Sequence, residues 1–546
     1  VTGAAQAADP VRRVHRLLAM VATAVLALLV LGPGVASAHA ILESSSPAAN
    51  SVLETGPDAI VLDFDESIDA GVSSIRLFDQ SRRGIALGDL ESSGGGRVLS
   101  ASVPSLDEGL YAVLWRVTSA DGHVVDGSFS FQVGTTDSGV SPDDLLGDLS
   151  SSAASSTAVT WALGVSRFLA FAGIVGLLGA ALLGVGVPSL PSALRAARLS
   201  WVLAMVGAVG TFVFHAADVV AGGLSDAFRP SLWSDVAGTR TGTALLLRMV
   251  VLAGIAALLA TWRVRHRPWW RVVGAVSMGA LAVTYSLAGH ASALSPRVLY
   301  VANDALHLLA IGVWVGGLVL LANGGRATFD DPELAPIVHR FSRASVVAVP
   351  VMVITGVVQA IELAGGLGDL TWSGWGRTLL VKVTLVVVLV VLGGVGRWLL
   401  RNDGPSGLRR GVIVEAVIGV VVLALAAALV AQPPREASAG KVISTTITAG
   451  GTIADVTVTP GKVGPNEIHM VLTPPGGNLD PVQGVTARMS LPAAGIPPTP
   501  VTVTQLGTNH YVGNVTLPEA GAWTLEIVVT TAPNSTVLLS TTIDIG

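Results

Sequence analysis

The 546 residues include no cysteine, which excludes disulfides, thiolate metal sites, iron–sulfur clusters and a cysteine nucleophile. Charge is scarce as well: Asp, Glu, Lys and Arg make up 13% of the chain, and only three of the 32 cations are Lys. Against 37 acids the net charge is −5, so there is no basic surface to seek nucleic acid, and a nucleic-acid partner is excluded. Aromatic residues stop at 5% and methionine at seven, none of them between His39 and Gly134. What fills the chain is apolar. A hydrophobic share of 51% with a mean hydropathy of +0.66 is too high for a string of soluble domains and marks an integral membrane protein. Any bound metal must be held by His, Met, carboxylate or backbone groups.

Residues 1–38 read as a secretory signal. Arg12, Arg13 and Arg16 precede an apolar run from Leu17 to Leu31, followed by Gly-Pro-Gly-Val-Ala-Ser-Ala at 32–38, the three parts of an export signal with its small-residue cleavage site. Cleavage after Ala38 makes His39 the first mature residue; the other reading is an uncleaved anchor. From 39 to 134 short apolar runs such as Ile60-Val-Leu-Asp-Phe and Tyr111-Ala-Val-Leu-Trp-Arg-Val alternate with turn residues, the pattern of a β-sandwich of about seven strands. Residues 135–157, rich in Ser, Asp, Thr and Gly, read as a flexible tether.

Between 158 and 431 lie eight apolar segments long enough to cross a bilayer: 158–187, 199–222, 243–262, 272–290, 298–322, 343–364, 378–398 and 410–431. If the signal exports the first domain, the cytoplasmic loops follow helices one, three, five and seven. Those loops carry thirteen Arg, against four in the outer loops, so the positive-inside rule agrees with export. Residues 432–546 return to alternating Thr and Val with Gly and Pro turns, a second exported β-sandwich. The expected architecture is a multidomain protein of the plasma membrane: sandwich, eight-helix bundle, sandwich, with both β domains on the extracytoplasmic side.

Two constellations carry chemistry. A free N-terminal His39 can close a six-membered chelate ring through its α-amine and Nδ1. Asp121 and His123 in Ser119-Ala-Asp-Gly-His-Val share one face of an extended segment at i, i+2. Together these make a tetragonal nitrogen and oxygen set that suits Cu(II) better than Zn(II). On spacing alone, a plain turn at Asp121-Gly122 with a surface His123 stands beside this reading. The second constellation lies in the apolar segments, where an ionisable side chain costs several kcal/mol and is a functional hypothesis by default. His215 (His215-Ala-Ala-Asp218), His290 (Gly289-His-Ala) and His307 (Asp304-Ala-Leu-His307) all fall in the outer part of the bundle. Asp218 and Asp304 sit three residues from their His, on the same helix face. Snorkelling of interfacial residues to water is the competing reading, strongest for His290. Gly312 and Gly316 form a small-xxx-small pattern that suits close helix packing. Met205, Met249, Met278 and Met352 are soft donors for Cu(I), or gap fillers. Arg167, Lys382 and Glu415 are expected to pair within the bundle or to face water. His469, Met470, Met489 and His510 in the last domain read as core Met and surface His, because neighbours on a strand point to opposite faces.

The first domain resembles the CopC family of periplasmic copper-binding proteins, through His39-Ala40, Ser46-Pro47 and Val117-Thr-Ser-Ala-Asp-Gly-His-Val-Val-Asp-Gly-Ser-Phe-Ser-Phe. That resemblance implies Cu(II) binding by His39, Asp121 and His123; a Met-rich Cu(I) loop is missing. Residues 158–431 resemble the CopD family of eight-helix copper-transport domains, through Asp304-Ala-Leu-His-Leu-Leu-Ala-Ile-Gly-Val-Trp-Val-Gly-Gly-Leu, Arg340-Phe-Ser-Arg-Ala-Ser, Thr355-Gly-Val, Gly376-Arg-Thr-Leu-Leu-Val-Lys-Val and Arg409-Arg-Gly-Val-Ile-Val-Glu415. It implies copper passage across the membrane. The last domain is similar to YtkA-like immunoglobulin-type domains.

The resulting expectation is a copper transporter, not an enzyme, with copper ion and the lipid bilayer as its partners and an extracytoplasmic copper chaperone or reductase as a further one. The outer domain would capture Cu(II), and His215, His290 and His307, with Asp218 and Asp304 behind them, would accept it for uptake into the cytoplasm. No nucleotide-binding loop is present in the sequence. The rival readings are extracytoplasmic sequestration without transport, and a haem-binding redox protein with axial His on neighbouring helices. The amine chelate is testable directly. One residue added before His39 is expected to weaken Cu(II) binding to the isolated 39–134 domain by well over tenfold, about 1.4 kcal/mol or more; an unchanged affinity in a competition titration removes the mature-terminus site.

Overall fold

The computed structural model describes residues 42–47, 49, 51–64, 66–119, 122–134, 142–153, 156–184, 191–294, 296–323, 335–364, 374–402, 408–432, 443–459, 461, 463–474, 482–507, 509–532 and 535–545. The signal segment, the expected mature start at His39, and Asp121 lie outside them.

The first domain is a sandwich of β1 (Leu42–Ser46), β2 (Val52–Leu53), β3 (Ala59–Phe64), β4 (Ser74–Asp79), β5 (Gly84–Ile85), β6 (Leu90–Ser93), β7 (Val98–Ser102), β8 (Gly109–Thr118) and β9 (Val124–Val133). One sheet runs β1-β3-β7-β6 and the other β2-β9-β8-β4-β5. The two strands beyond the expected number, β2 and β5, are two-residue pieces too short to show alternation. In β3 alternate residues are buried, as a half-covered strand requires. All ten residues of β8 are buried, which explains why its sequence fails to alternate. Tyr111, Val113, Trp115 and Val117 enter the sandwich core, where Trp115 meets Phe64 edge-on at 5.4 Å between ring centres. Leu110, Ala112 and Leu114 face outward, beneath a helix.

That helix, α1 (Pro142–Ala153), corrects the expectation of a flexible tether. Proline at its first position is pre-set for helix, and Leu145 and Leu149, one turn apart, bury themselves on the outer face of β8. Arg82 pairs with Asp148 at its edge. Ser and Gly content hid a two-residue apolar stripe that the sandwich completes.

Eight long helices then follow where the eight apolar segments placed them: α2 (Thr157–Gly184), α3 (Pro191–Val219), α5 (Arg240–Ala260), α6 (Pro268–Ser286), α7 (Arg297–Asn323), α8 (Ala335–Ala364), α9 (Gly374–Asn402) and α10 (Arg409–Leu429), with a short α4 (Pro230–Ala237) between α3 and α5. Seven are long and apolar enough to cross a membrane. The eighth, α6, has 19 residues, begins with Pro268, Trp269, Trp270 and Arg271 and ends with Thr284-Tyr285-Ser286, so polar and amphipathic ends dilute its apolar centre. It still contributes Met278, Leu281 and Ala282 to the common core. Exposed Val250, Val276, Val347 and Val391 line the bundle exterior, an apolar surface suited to lipid; this is a multi-pass membrane protein. Close approach of α2 and α7 rests on glycine: a Cβ on Gly316 would lie 2.0 Å from the Val175 carbonyl oxygen, and one on Gly312 would lie 2.2 Å from Leu178. The small-residue pattern in α7 is therefore used for packing. Met278 and Met352 are buried in the same core, with Met205 and Met249 packed against it.

The last domain is one rolled antiparallel sheet of β10 (Ile443–Ala449), β11 (Thr452–Thr459), β12 (Gly464–Thr473), β13 (Gly484–Leu491), β14 (Ile496–Gly507), β15 (His510–Leu517), β16 (Gly521–Ala532) and β17 (Ser535–Ile545). Its order is β10-β11-β12-β15-β14-β13-β16-β17, with β17 packed back against β10. It is thus barrel-like. Met470, Met489 and Trp523 fill its core.

The first sandwich docks on one end of the bundle through Arg116, which projects from β8 and is 7% exposed. Its Nε donates to the Val219 carbonyl at 3.0 Å and Nη2 to the Asp218 carbonyl at 2.6 Å, while Nη1 reaches Asp126 at 3.1 Å. The acceptors are the last carbonyls of α3, which lack intrahelical partners and carry the negative end of the helix dipole. Truncating a buried charge of this kind costs about 2–5 kcal/mol. Arg116→Ala is accordingly expected to speed hydrogen exchange at residues 122–124 and 219–222 at least tenfold while leaving β3 unchanged; equal protection in both proteins would show that Arg116 does not hold the interface.

Candidate functional site

The β8–β9 hairpin carries the Asp-Gly-His segment at its tip. The strands pair up to Thr118 opposite Val124, and the Ser119 amide donates to the His123 carbonyl at 2.9 Å. Gly122 sits at φ +85, and a Cβ there would fall 2.0 Å from Thr241 Oγ1. Both its backbone conformation and its contact with the start of α5 require glycine. The tip is thus pressed into the end of the bundle, and His123, 9% exposed, is buried there.

His123 Nε2 donates to the Val430 carbonyl, just past α10, at 2.5 Å. With that proton on Nε2, the lone pair of the neutral ring lies on Nδ1. The ring stacks on His290, with centres 4.5 Å apart and planes within 7°. His290 comes from the 3₁₀ turn between α6 and α7. His215, near the end of α3 and 2% exposed, is in electrostatic reach of His123 as well as of Asp218, Arg167 and Arg116. Its Nε2 is buried with no hydrogen-bond partner among the described residues. His123 and His290 thus touch at the mouth of the bundle, with His215 of a third element in electrostatic reach of His123. Asp218 also lies 3.7 Å from Arg116 Nη2, so the interface contact and the His215 environment share a carboxylate.

His307 sits deeper. Ten residues into α7, it is about 15 Å along the axis from Arg297, whereas His215 is four residues, or about 6 Å, from the end of α3. Its Nδ1 is 2.9 Å from Thr355 Oγ1 in α8. That hydroxyl donates its own proton to the Val351 carbonyl at 2.7 Å, so it accepts from Nδ1–H and leaves the His307 lone pair on Nε2. Gly356 makes room for the ring, since a Cβ there would be 3.0 Å from His307 Cε1. Asp304 looks away from its helical neighbour: it accepts from Gln359 Nε2 at 2.9 Å and interacts with Ser286, His290 and Lys382. Lys382 in turn acts on His307. Asp304 is thus in electrostatic reach of both His290 and Lys382, and Lys382 of His307. Among the described residues no three His, Asp or Glu side chains converge tightly enough to hold one ion.

Sequence reasoning did not single out Thr355, Gln359 or Ser286 as site residues. Each is a polar residue in an apolar helix, the signal used for the histidines, but only the packing of α6, α7 and α8 shows that they face the same cluster.

Comparison with known proteins agrees with this layout. Residues 42–134 match the CopC domain, 157–296 the copper resistance protein D-like N-terminal domain and 335–429 copper resistance protein D. The copper transport protein CutJ of Bacillus subtilis is 24% identical over 477 residues, covering 84% of this chain and 86% of that protein. Protein YobA of Escherichia coli is 32% identical over 98 residues, 18% of this chain and 79% of its own length. The crystal structure of CopC from Methylosinus trichosporium OB3b is 30% identical, covering 18% of this chain and 97% of that one, with a TM-score of 0.17. With a CopC domain docked on a bundle matched by both copper resistance protein D models, the chain belongs to the CopC–CopD copper resistance family.

Proposed function

We propose that this chain captures Cu(II) at the hairpin end of the first sandwich and passes copper into the bundle for uptake into the cytoplasm, without catalysing a reaction of its own. The observation that carries the reading is the stack of His123 on His290. It puts a ligand of the capture domain in van der Waals contact with the first imidazole of the membrane domain, so an ion can change hosts by exchanging one ring for the next. His215 offers a buried nitrogen at the same mouth. His307, its tautomer set by Thr355 with Nε2 available, offers the next donor inward. Neutral imidazoles suit copper in either oxidation state.

In this arrangement the two β domains lie on the extracytoplasmic face of the plasma membrane, the side that the arginine distribution assigns to the loops touching the sandwich. An extracytoplasmic copper chaperone would supply the ion, and a reductase would act on it if copper crosses as Cu(I). His39 and Asp121 complete the Cu(II) set in the capture domain, with His123 as the member that faces the bundle.

Copper accumulation in cells separates transport from sequestration. Cells carrying the chain are expected to hold more copper than cells lacking it. His290→Ala and His307→Ala are each expected to bring accumulation down to the deleted level, while Cu(II) binding by the sandwich of the His307→Ala protein stays within twofold. Greater copper sensitivity on deletion with unchanged accumulation would instead establish sequestration. Full uptake by a well-expressed His307→Ala protein would remove that residue from the path.

A further inference from the structure

The last domain holds a cluster that neither the capture site nor the bundle uses. On β12 the core-facing residues are Ile468, Met470 and Leu472, so Glu467, His469 and Val471 lie on the open face. On the neighbouring β15 His510 pairs with Val471, and Val512 with His469. That register sets His469 and His510 diagonally across the two strands on one face, within reach of each other. Their rings are 5.6 Å apart between centres, and His469 Nδ1 lies 3.4 Å from His510 Nε2. On the far side of its ring, His469 Nε2 is 2.5 Å from Glu467 Oε1.

The carboxylate decides the tautomer. It can only accept, so His469 carries its proton on Nε2 and turns the Nδ1 lone pair toward His510. In the absence of an ion, His510 Nε2–H donates across the 3.4 Å gap. The hydrogen bond to Glu467 holds that carboxyl below its usual range, and partial burial together with the adjoining His469 pulls the His510 imidazole down. A neutral His510 can move its proton to Nδ1 and present a second lone pair to the same point. Two nitrogens 3.4 Å apart, each about 2.0 Å from a common ion, subtend an angle of roughly 115° there. A small adjustment of either partly exposed ring brings this to the angle a given metal prefers. Glu467 then stands behind His469 as the carboxylate that orients a metal-bound imidazole.

We propose that His469 and His510 form a two-imidazole site for a late first-row divalent ion on the open face of the last domain, with Glu467 as the positioning residue and water completing the coordination. The affinity order of such ions for nitrogen donors peaks at Cu(II), which makes Cu(II) the probe. The site stands independently of the transport reading, because its residues lie in a separate fold with its own core.

The test counts Cu(II) bound per full-length chain in detergent by equilibrium dialysis. His469→Ala with His510→Ala is expected to bind one ion fewer than the parent protein. His510→Gln, which keeps an amide donor toward His469, is expected to weaken that same ion at least tenfold and guards against a folding defect in the double variant. Glu467→Ala is expected to weaken it severalfold, and Glu467→Gln, whose amide oxygen still accepts from Nε2–H, to restore most of the loss. An unchanged count in the double variant, or unchanged affinity in His510→Gln, would overturn the site. Loss of uptake without a change in this count bears on the membrane path alone.

Discussion

A guanidinium buried at the C-terminal end of α3 joins the two halves of the copper-handling region. Arg116 donates to the last two carbonyls of α3, Val219 and Asp218, at the negative end of the helix dipole, and it does so from a strand with no solvent-facing residue left. Its placement follows from the double coverage of β8: one face in the sandwich core, the other shared between α1 and the bundle. With Arg116 seated, the hairpin tip lies against α5 and the turn after α6, where Gly122 meets Thr241 and His123 meets His290. The contact between His123 and His290 therefore sits one turn of the hairpin away from a buried positive charge.

Inside the bundle the same economy of contacts recurs. Glycines in α2 and α7 let those two backbones touch, while Thr355 and Gln359 of α8 and Lys382 of α9 reach residues of α7. Asp304 accepts from Gln359 and meets Lys382 instead of turning to His307. The carboxylate and the imidazole, three residues apart on one helix, thus serve neighbours at different depths.

Much of this could be read in the sequence. The apolar segments located all eight long helices, and the Asp-Gly-His segment located the hairpin tip, because length, hydropathy and turn chemistry are local properties. What could not be read depended on partners distant in the chain. The Leu145 and Leu149 stripe is too short to announce a helix without the sheet that covers it. The meeting of His123 with His290 requires the docking of two domains. His469 was legible as an outward-facing residue beside a core methionine, but its pairing with His510 depends on the register of β12 against β15, which no single strand reveals. Depth was also hidden: His215, His290 and His307 all belong to one end of the bundle, yet helix rise spreads them along its axis.

The helix that replaced the expected tether changes the kinetics available to the first sandwich. α1 is fastened to the sandwich and ends at Ala153, and α2 begins at Thr157, so three residues, spanning at most about 14 Å, separate the sandwich from the membrane. A sandwich released from its seat cannot diffuse away unless α1 also peels off. It stays at a high effective concentration over the bundle, and re-engagement becomes a first-order event. The frequency at which His123 revisits His290 is then a property of the single molecule, indifferent to how many copies a cell makes.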